Sequence, residues 1–330
     1  MRTQVAALTL LAVAIVAATK LTGNAWAQKD VRRVGVLSFS AAADNPSFDL
    51  VLKVFRRELA DRGWIEGKNV AFLYRDARGD ASRYSAAAEE LARLDVDVIF
   101  ATSAPALRAA YSATRTIPIV GGDFTTDPVA EGYIQSYARP GGNITGVFLD
   151  APEFAGKWFE LLQEIIPGLS RVAVLWDPDP GTAHLQAVRS VASLLNIKLQ
   201  VLEVRKPEDI DAAFSALLGG TQAVILLPSP MMYSQSARLA SLALRHELPA
   251  TSMAREFAIA GGTLAYGPER TSVWKRCAVL VAKILDGANP GDVTVQRPST
   301  IQLVVNLKTA KAIGITIPQS ILLRADEVIR

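Results

Sequence analysis

Cysteine and histidine are nearly missing from this chain of 330 residues, which has one of the first and two of the second. A single thiol closes no internal disulfide and makes no thiolate metal site, and two isolated histidines argue against a histidine-rich zinc site. Basic blocks are missing as well. The 35 basic and 32 acidic residues are scattered, so a formal charge of +3 and a pI near 9.0 give only weak support to a nucleic-acid partner. Beyond the N-terminal region no stretch offers 18 unbroken apolar residues, so no spanning helix is expected there. Nor does a Ser- or Gly-rich linker, a short repeat or a low-complexity tract divide the chain. What remains is a polypeptide 50% hydrophobic and 20% charged, long enough for two domains with substantial cores.

The N-terminus carries part of that apolar excess. Arg2 supplies a positive start, Val5 to Ala18 is apolar or small apart from Thr9, and Ala25-Trp26-Ala27 fits a small-x-small cleavage site. This is the layout of a secretory signal peptide over residues 1–27, leaving Gln28 as the mature N-terminus. The apolar run is shorter than the roughly 20 residues a spanning helix needs, although Lys20 keeps an uncleaved anchor open as an alternative. Without Arg2 and Lys20, 33 basic residues face 32 acidic ones, a net of +1. Export to the periplasm as a chain that does not span the membrane after cleavage is therefore expected. Cys277 shares helical spacing with Val273, Leu280, Val281 and Ile284, which makes it a core thiol rather than a nucleophile.

Apolar, β-branched runs recur along the rest of the chain. They fall at 31–39, 70–74, 96–102, 117–120 and 144–149, then at 171–176, 199–204, 223–227, 263–266 and 301–305. Most are continuous rather than alternating, as strands covered on both faces require. Helical patterns lie between them, among them Phe48, Val51, Leu52, Phe55 and Leu59, ending at Gly63. Others cover 81–94, 105–114, 128–138, 153–166, 182–195, 207–218, 233–247 and 271–285. Alternation of this kind predicts an α/β fold of mostly parallel sheets, and ten or more strands imply two of them. Breaks at Pro140-Gly141-Gly142, Gly261-Gly262 and Asn289-Pro290-Gly291 suggest that the chain passes between domains more than once.

Nucleotide motifs are not found. Gly121-Gly122 follows a strand without a Walker lysine or GxGxxG spacing, and Gly219-Gly220 and Gly261-Gly262 read as helix stops. There is no GxSxG, and His184 and His246 fall on helices expected to be partly exposed. Asp123 and Asp127, and Asp177 and Asp179, could pair for acid–base work, but loop aspartates before a helix commonly serve as caps. In open α/β sheets ligands bind at the C-terminal strand ends. Those ends read Ser38-Phe39-Ser40, Thr102-Ser103-Ala104-Pro105 and Asp123-Phe124-Thr125-Thr126-Asp127 in the first half. In the second half they read Trp176-Asp177 and Pro228-Ser229-Pro230. Hydroxyls with helix N–H groups suit a carboxylate, an aspartate suits an ammonium group, and aromatic faces suit an apolar or cationic part.

Several strings carry a resemblance. They are Arg33-Val34-Gly35-Val36-Leu37, Gly63-Trp64-Ile65-Glu66-Gly67-Lys68-Asn69-Val70, and Ile117-Pro118-Ile119-Val120 leading to Asp127-Pro128-Val129. Arg139-Pro140-Gly141-Gly142-Asn143-Ile144-Thr145-Gly146, the stretch from Val305 to Gly314 and Arg324-Ala325-Asp326-Glu327-Val328-Ile329 complete the set. In this order the chain resembles the ABC-transporter substrate-binding proteins of the tryptophan/tyrosine-type group, which have the type I periplasmic-binding-protein fold. The resemblance implies two doubly wound parallel-sheet lobes joined by a three-crossover hinge, 31–148 plus 264–290 and 149–263 plus 291–330. It implies a non-catalytic protein without cofactor or metal that encloses a small organic solute, an amino acid or related organic acid, for an ABC permease with its ATPase. Carried over, the pocket loops fall on Ser38 to Ser40, Thr102 to Pro105, Phe124 to Asp127, Asp177, Pro228 to Pro230, and Tyr266 near a hinge. The loop from Asp177 to Thr182 and the Ser38-Phe39-Ser40 turn differ from the Asn/Ser-rich and Thr-Gln-like sequences common in amino-acid-binding members. A receptor for a membrane sensor kinase, or an exported hydrolase or lyase using Asp123 or Asp127, remain the alternatives.

Overall fold

Continuous β-branched runs become strands buried on both faces, and the amphipathic segments between them become the helices that bury them. The computed structural model describes residues 31–123, 125–149 and 152–330, without the side chains of Pro152 and Glu153. The expected export segment at 1–27 and Phe124 lie outside the described residues.

Strand β1 (Arg32–Ser38) is buried from Val34 onward. Helix α1 (Pro46–Asp61) follows, with proline in its first turn and the Asn45 side chain accepting from the Phe48 N–H at its start. Its buried face is the expected one: Phe48, Val51, Leu52, Phe55 and Leu59. Then come β2 (Val70–Asp76), α2 (Tyr84–Arg93), β3 (Val98–Ala101), α3 (Ala104–Ala113), β4 (Ile119–Asp123) and β5 (Ile144–Phe148). These strands form a wholly parallel sheet in the order β2-β1-β3-β4-β5. One glycine is indispensable to it, because a Cβ at Gly146 would lie 2.2 Å from the Gly121 carbonyl oxygen of β4.

The chain continues through α4 (Pro152–Ile165), β6 (Arg171–Trp176), α5 (Ala183–Leu194), β7 (Lys198–Glu203), α6 (Asp209–Ser215) and β8 (Ala223–Leu226). After these come α7 (Pro230–Ser234), α8 (Ser236–Arg245), β9 (Ala250–Ser252), α9 (Arg255–Ile259), β10 (Leu264–Pro268) and α10 (Arg270–Leu285). The chain closes with β11 (Ile301–Asn306), α11 (Leu307–Ala312), α12 (Gln319–Arg324) and β12 (Glu327–Ile329). The second sheet runs β12-β11-β10-β9-β8-β6-β7, with the β10–β11 pair antiparallel and the other pairs parallel.

Each sheet carries helices on both faces. On the first, α1 and α10 form one layer, where Trp274 meets Phe48, Phe55 and Phe100 edge-on at 5.5, 6.3 and 4.9 Å, and α2 and α3 form the other. Cys277 is fully buried in the α1/α10 layer.

Four expectations are corrected. Residues 264–268 do not accompany 270–285 into the first lobe, because β10 is hydrogen-bonded between β9 and β11. Conversely, residues 293–296 stay with the first sheet: the Val293 carbonyl accepts from Thr145 Oγ1, and Gln296 bridges Gly146 and Phe148 along the main chain. The crossings therefore follow β5, β10 and Gln296. The third correction concerns 128–138, which is a chain of turns rather than a helix; Gly132 at φ 71° breaks the pattern and turns Tyr133 and Ile134 into the core. Finally, His184 is buried at 5% exposure and stacked on Trp158, not partly exposed.

Candidate functional site

The C-terminal ends of β1, β3 and β4 face the β8–α7 turn and the β6–α5 loop across a cavity that is partly open to solvent. Of the residues singled out from the sequence, Phe39, Ser40, Thr102 to Pro105, Asp123, Thr125 and Pro228 to Pro230 line it. Their positions follow from backbone needs. Thr102 holds β1 through both its N–H and Oγ1, each donating to the Leu37 carbonyl, at 3.1 and 3.0 Å. Ser103 caps α3 by accepting from the Ala106 N–H, and it shares a 3.3 Å hydrogen bond with the Tyr84 hydroxyl. Burial beneath this contact pushes the Tyr84 hydroxyl pKa up. Ser229 likewise accepts from the Met232 N–H at the start of α7. Phe39 packs against the cores of both lobes.

Asp123 is the exceptional group. It is 1% exposed, and its Oδ1 accepts from the Thr125 N–H at 2.8 Å and the Thr125 hydroxyl at 2.9 Å. Its Oδ2 is buried and, among the described residues, meets no donor in full hydrogen-bonding geometry, although the Thr126 side chain lies close enough to favour its charged form. Burial raises its pKa, partly offset by the Thr126 and Thr125 groups and by the Arg108 charge. A buried carboxylate oxygen without a partner is costly, and a cationic group entering the cavity would relieve that cost.

Other singled-out residues stand behind the cavity rather than in its lining. Ser38 donates to the Ser40 carbonyl, Thr126 is buried close to Asp123, and the exposed Asp127 caps its turn by accepting from the Val129 and Ala130 N–H groups. Trp176 donates through Nε1 to the Gly181 carbonyl and so holds the loop that carries Pro180 to the cavity. Asp177 is 4% exposed and accepts from the Asp179 N–H; burial raises its pKa to about 6 against the hydrogen bond from Ser229. Tyr266 points toward Phe154 at 5.7 Å, and its carbonyl accepts from Trp158 Nε1.

The sequence reading missed Phe48, Tyr233, Arg270 and Trp274 among the lining residues. Tyr233 and Trp274 are carried there by helices whose facing is set by packing. Arg270 had a signal of its own, since a cation in the first turn of α10 opposes the helix dipole. Its guanidinium lies 5.3 Å from the Tyr233 ring centre, and Nη1 donates to Glu256 Oε1 at 3.0 Å. The buried Tyr233 hydroxyl feels Arg270, Glu256 and Asp123 together. Among the described residues no cluster of three His, Cys, Asp or Glu side chains could hold a metal ion, and no helix is long and apolar enough to cross a membrane.

Two doubly wound lobes, three crossings and a cavity at the strand ends make this a type I periplasmic-binding-protein fold. A family model described as ABC transporter substrate binding protein matches residues 34–329, and the chain belongs to that family. It is 24% identical over 321 residues to a tyrosine-binding protein of Clostridioides difficile, covering 93% of this chain and 91% of that one. A conserved domain protein of Vibrio cholerae superposes with a TM-score of 0.83 at 27% identity, over 91% of this chain and 100% of the other. An ABC domain of Streptococcus pneumoniae in complex with L-Trp gives 0.81 at 24% identity, over 90% and 99%.

Proposed function

We propose that this protein is the periplasmic solute-binding component of an ABC uptake system, closing its lobes on one amino acid with an apolar or aromatic side chain. Residues 1–27 act as a cleaved signal peptide, and the loaded protein delivers its solute unchanged to a permease driven by its ATPase. The observation that carries this reading is the cavity itself. It combines rings (Phe39, Phe48, Tyr233, Trp274) with one buried carboxylate that has an unused oxygen and one guanidinium. Rings and prolines receive the side chain, and Asp123 Oδ2 receives the ammonium group in a charge-assisted bond. The ligands named for the C. difficile and S. pneumoniae relatives, tyrosine and L-Trp, support the same class.

Only when both walls touch the solute are its hydrogen bonds shielded from water, so the ligand stabilises the closed form that a permease distinguishes. Melting the mature protein with each of the common amino acids tests this. A true ligand at 100 times its dissociation constant adds about 2.7 kcal/mol of stability and is recovered intact. No stabilisation by any amino acid, or recovery of a converted product, contradicts the reading.

A further inference from the structure

We propose that Arg270 reads the carboxylate of the bound solute and that Glu256 positions it for that task. The assignment rests on the amino-acid reading above and makes the site selective for a zwitterion rather than for a cation. Asp123 alone would favour any amine. Arg270 is the one guanidinium among the cavity-lining residues, and it is placed where it can reject amines that lack a carboxylate.

Its surroundings are built to hold it there. Pro268 ends β10 in the second sheet, and Arg270 begins the helix that packs on the first, so the side chain stands in a crossing between lobes. Glu269 fixes that crossing, with its N–H donating to the Thr300 carbonyl and its carboxylate accepting from the Ser272 N–H. On the second-lobe side Glu256, in α9, takes Arg270 Nη1 through Oε1, while Tyr233 lies against the guanidinium. Both charged side chains are largely buried, at 15% and 21% exposure, so each depends on the other. Among the described residues Glu256 Oε2 is buried without a hydrogen-bond partner, and none of them bonds the other nitrogens of Arg270. A guanidinium is a planar fork that pairs with carboxylates two bonds at a time. Glu256 uses part of that fork, and a solute carboxylate can take the rest without displacing it.

The prediction is a ratio. Calorimetric titration with L-tyrosine and tyramine, and with L-tryptophan and tryptamine, compares ligands with and without the carboxylate. Losing hydrogen bonds to a charged group weakens binding by about 10- to 100-fold, so the wild-type protein should prefer each amino acid to its amine by that factor. Arg270→Met should bring the ratio close to 1, and Arg270→Lys should restore part of it. Glu256→Gln keeps the shape and a bond to Nη1 but removes the countercharge, so the ratio should fall several-fold. If Glu256 served only the fold, this variant would lower the melting temperature and weaken both ligands alike, leaving the ratio untouched. A wild-type ratio that survives Arg270→Met and Arg270→Lys overturns the role of Arg270 alone. A wild-type protein that binds no amino acid overturns the proposed function and this assignment with it.

Discussion

The two walls of the cavity are made differently. On the first, Phe39 and Thr102 directly follow β1 and β3, and Asp123 ends β4, so a parallel sheet fixes their places almost by itself. On the second, Pro180 stands four residues beyond β6 and Tyr233 seven beyond β8, reached through a loop and a short helix. At the end of β6, Trp176 and Asp177 support the loop from behind, while beyond β8 Pro228 and Ser229 reach the cavity in the turn that starts the short helix. The first wall is thus pre-formed by strand pairing and supplies the polar recognition of Asp123. The second is shaped by its turns, and its reach into the cavity depends on how they are held.

Helix α10 complicates the contrast, because it returns to the first lobe from the second sheet and brings Trp274 and Arg270 with it. Trp274→Ala should therefore be the most damaging change to the first wall. It leaves a void beside Phe48, Phe55 and Phe100 and should cost about 3–5 kcal/mol in urea unfolding.

The second wall should respond to pH through Asp177. The Asp177 carboxyl is raised from 3.8 to about 6, so below pH 4 the folded and unfolded states both hold its proton and nothing is lost. As pH rises from about 4 to 6 the unfolded state releases the proton first, and stability declines by up to about 3 kcal/mol, then levels off. Asp177→Asn should flatten this decline in melting curves taken from pH 4 to 7.5. Part of the slope should persist, because Asp123 is shifted the same way.

Asp123→Asn separates binding from folding on the first wall. Ammonium recognition should weaken by about 10- to 100-fold in calorimetry, while the melting temperature holds or rises because a buried carboxylate oxygen without a partner has been replaced. The smallest effect belongs to Asp127→Ala, which removes a turn cap outside the cavity. It should cost about 1 kcal/mol in chemical denaturation and leave ligand affinity unchanged.

The contrast also explains what could be read in advance. Strand runs and the amphipathic face of α1 were legible because burial imposes periods of 2 and 3.6 on the sequence. The three-residue strands β9 and β12 were too short to show any period. The most recognisable strings serve the fold rather than the site. Asn69 closes its turn by accepting from the Ile65 N–H and donating to the Gly63 carbonyl, and Asn143 ties down the Thr114 and Ile117 carbonyls ahead of β4. Residues 264–268 were placed in the wrong lobe because an antiparallel partner, β11, arrives from more than thirty residues later. Arg270 lies 147 positions from Asp123, and no local pattern announces that the two line one cavity.

Calorimetric titration of L-tyrosine and L-tryptophan into the wild-type and Asp123→Asn proteins tests the central claim most directly. Saturable one-to-one binding of at least one of them to the wild type, about 10- to 100-fold weaker in the variant, is the expected result. No saturable binding of either, or equal affinity in both proteins, would contradict a solute held between these two walls by Asp123.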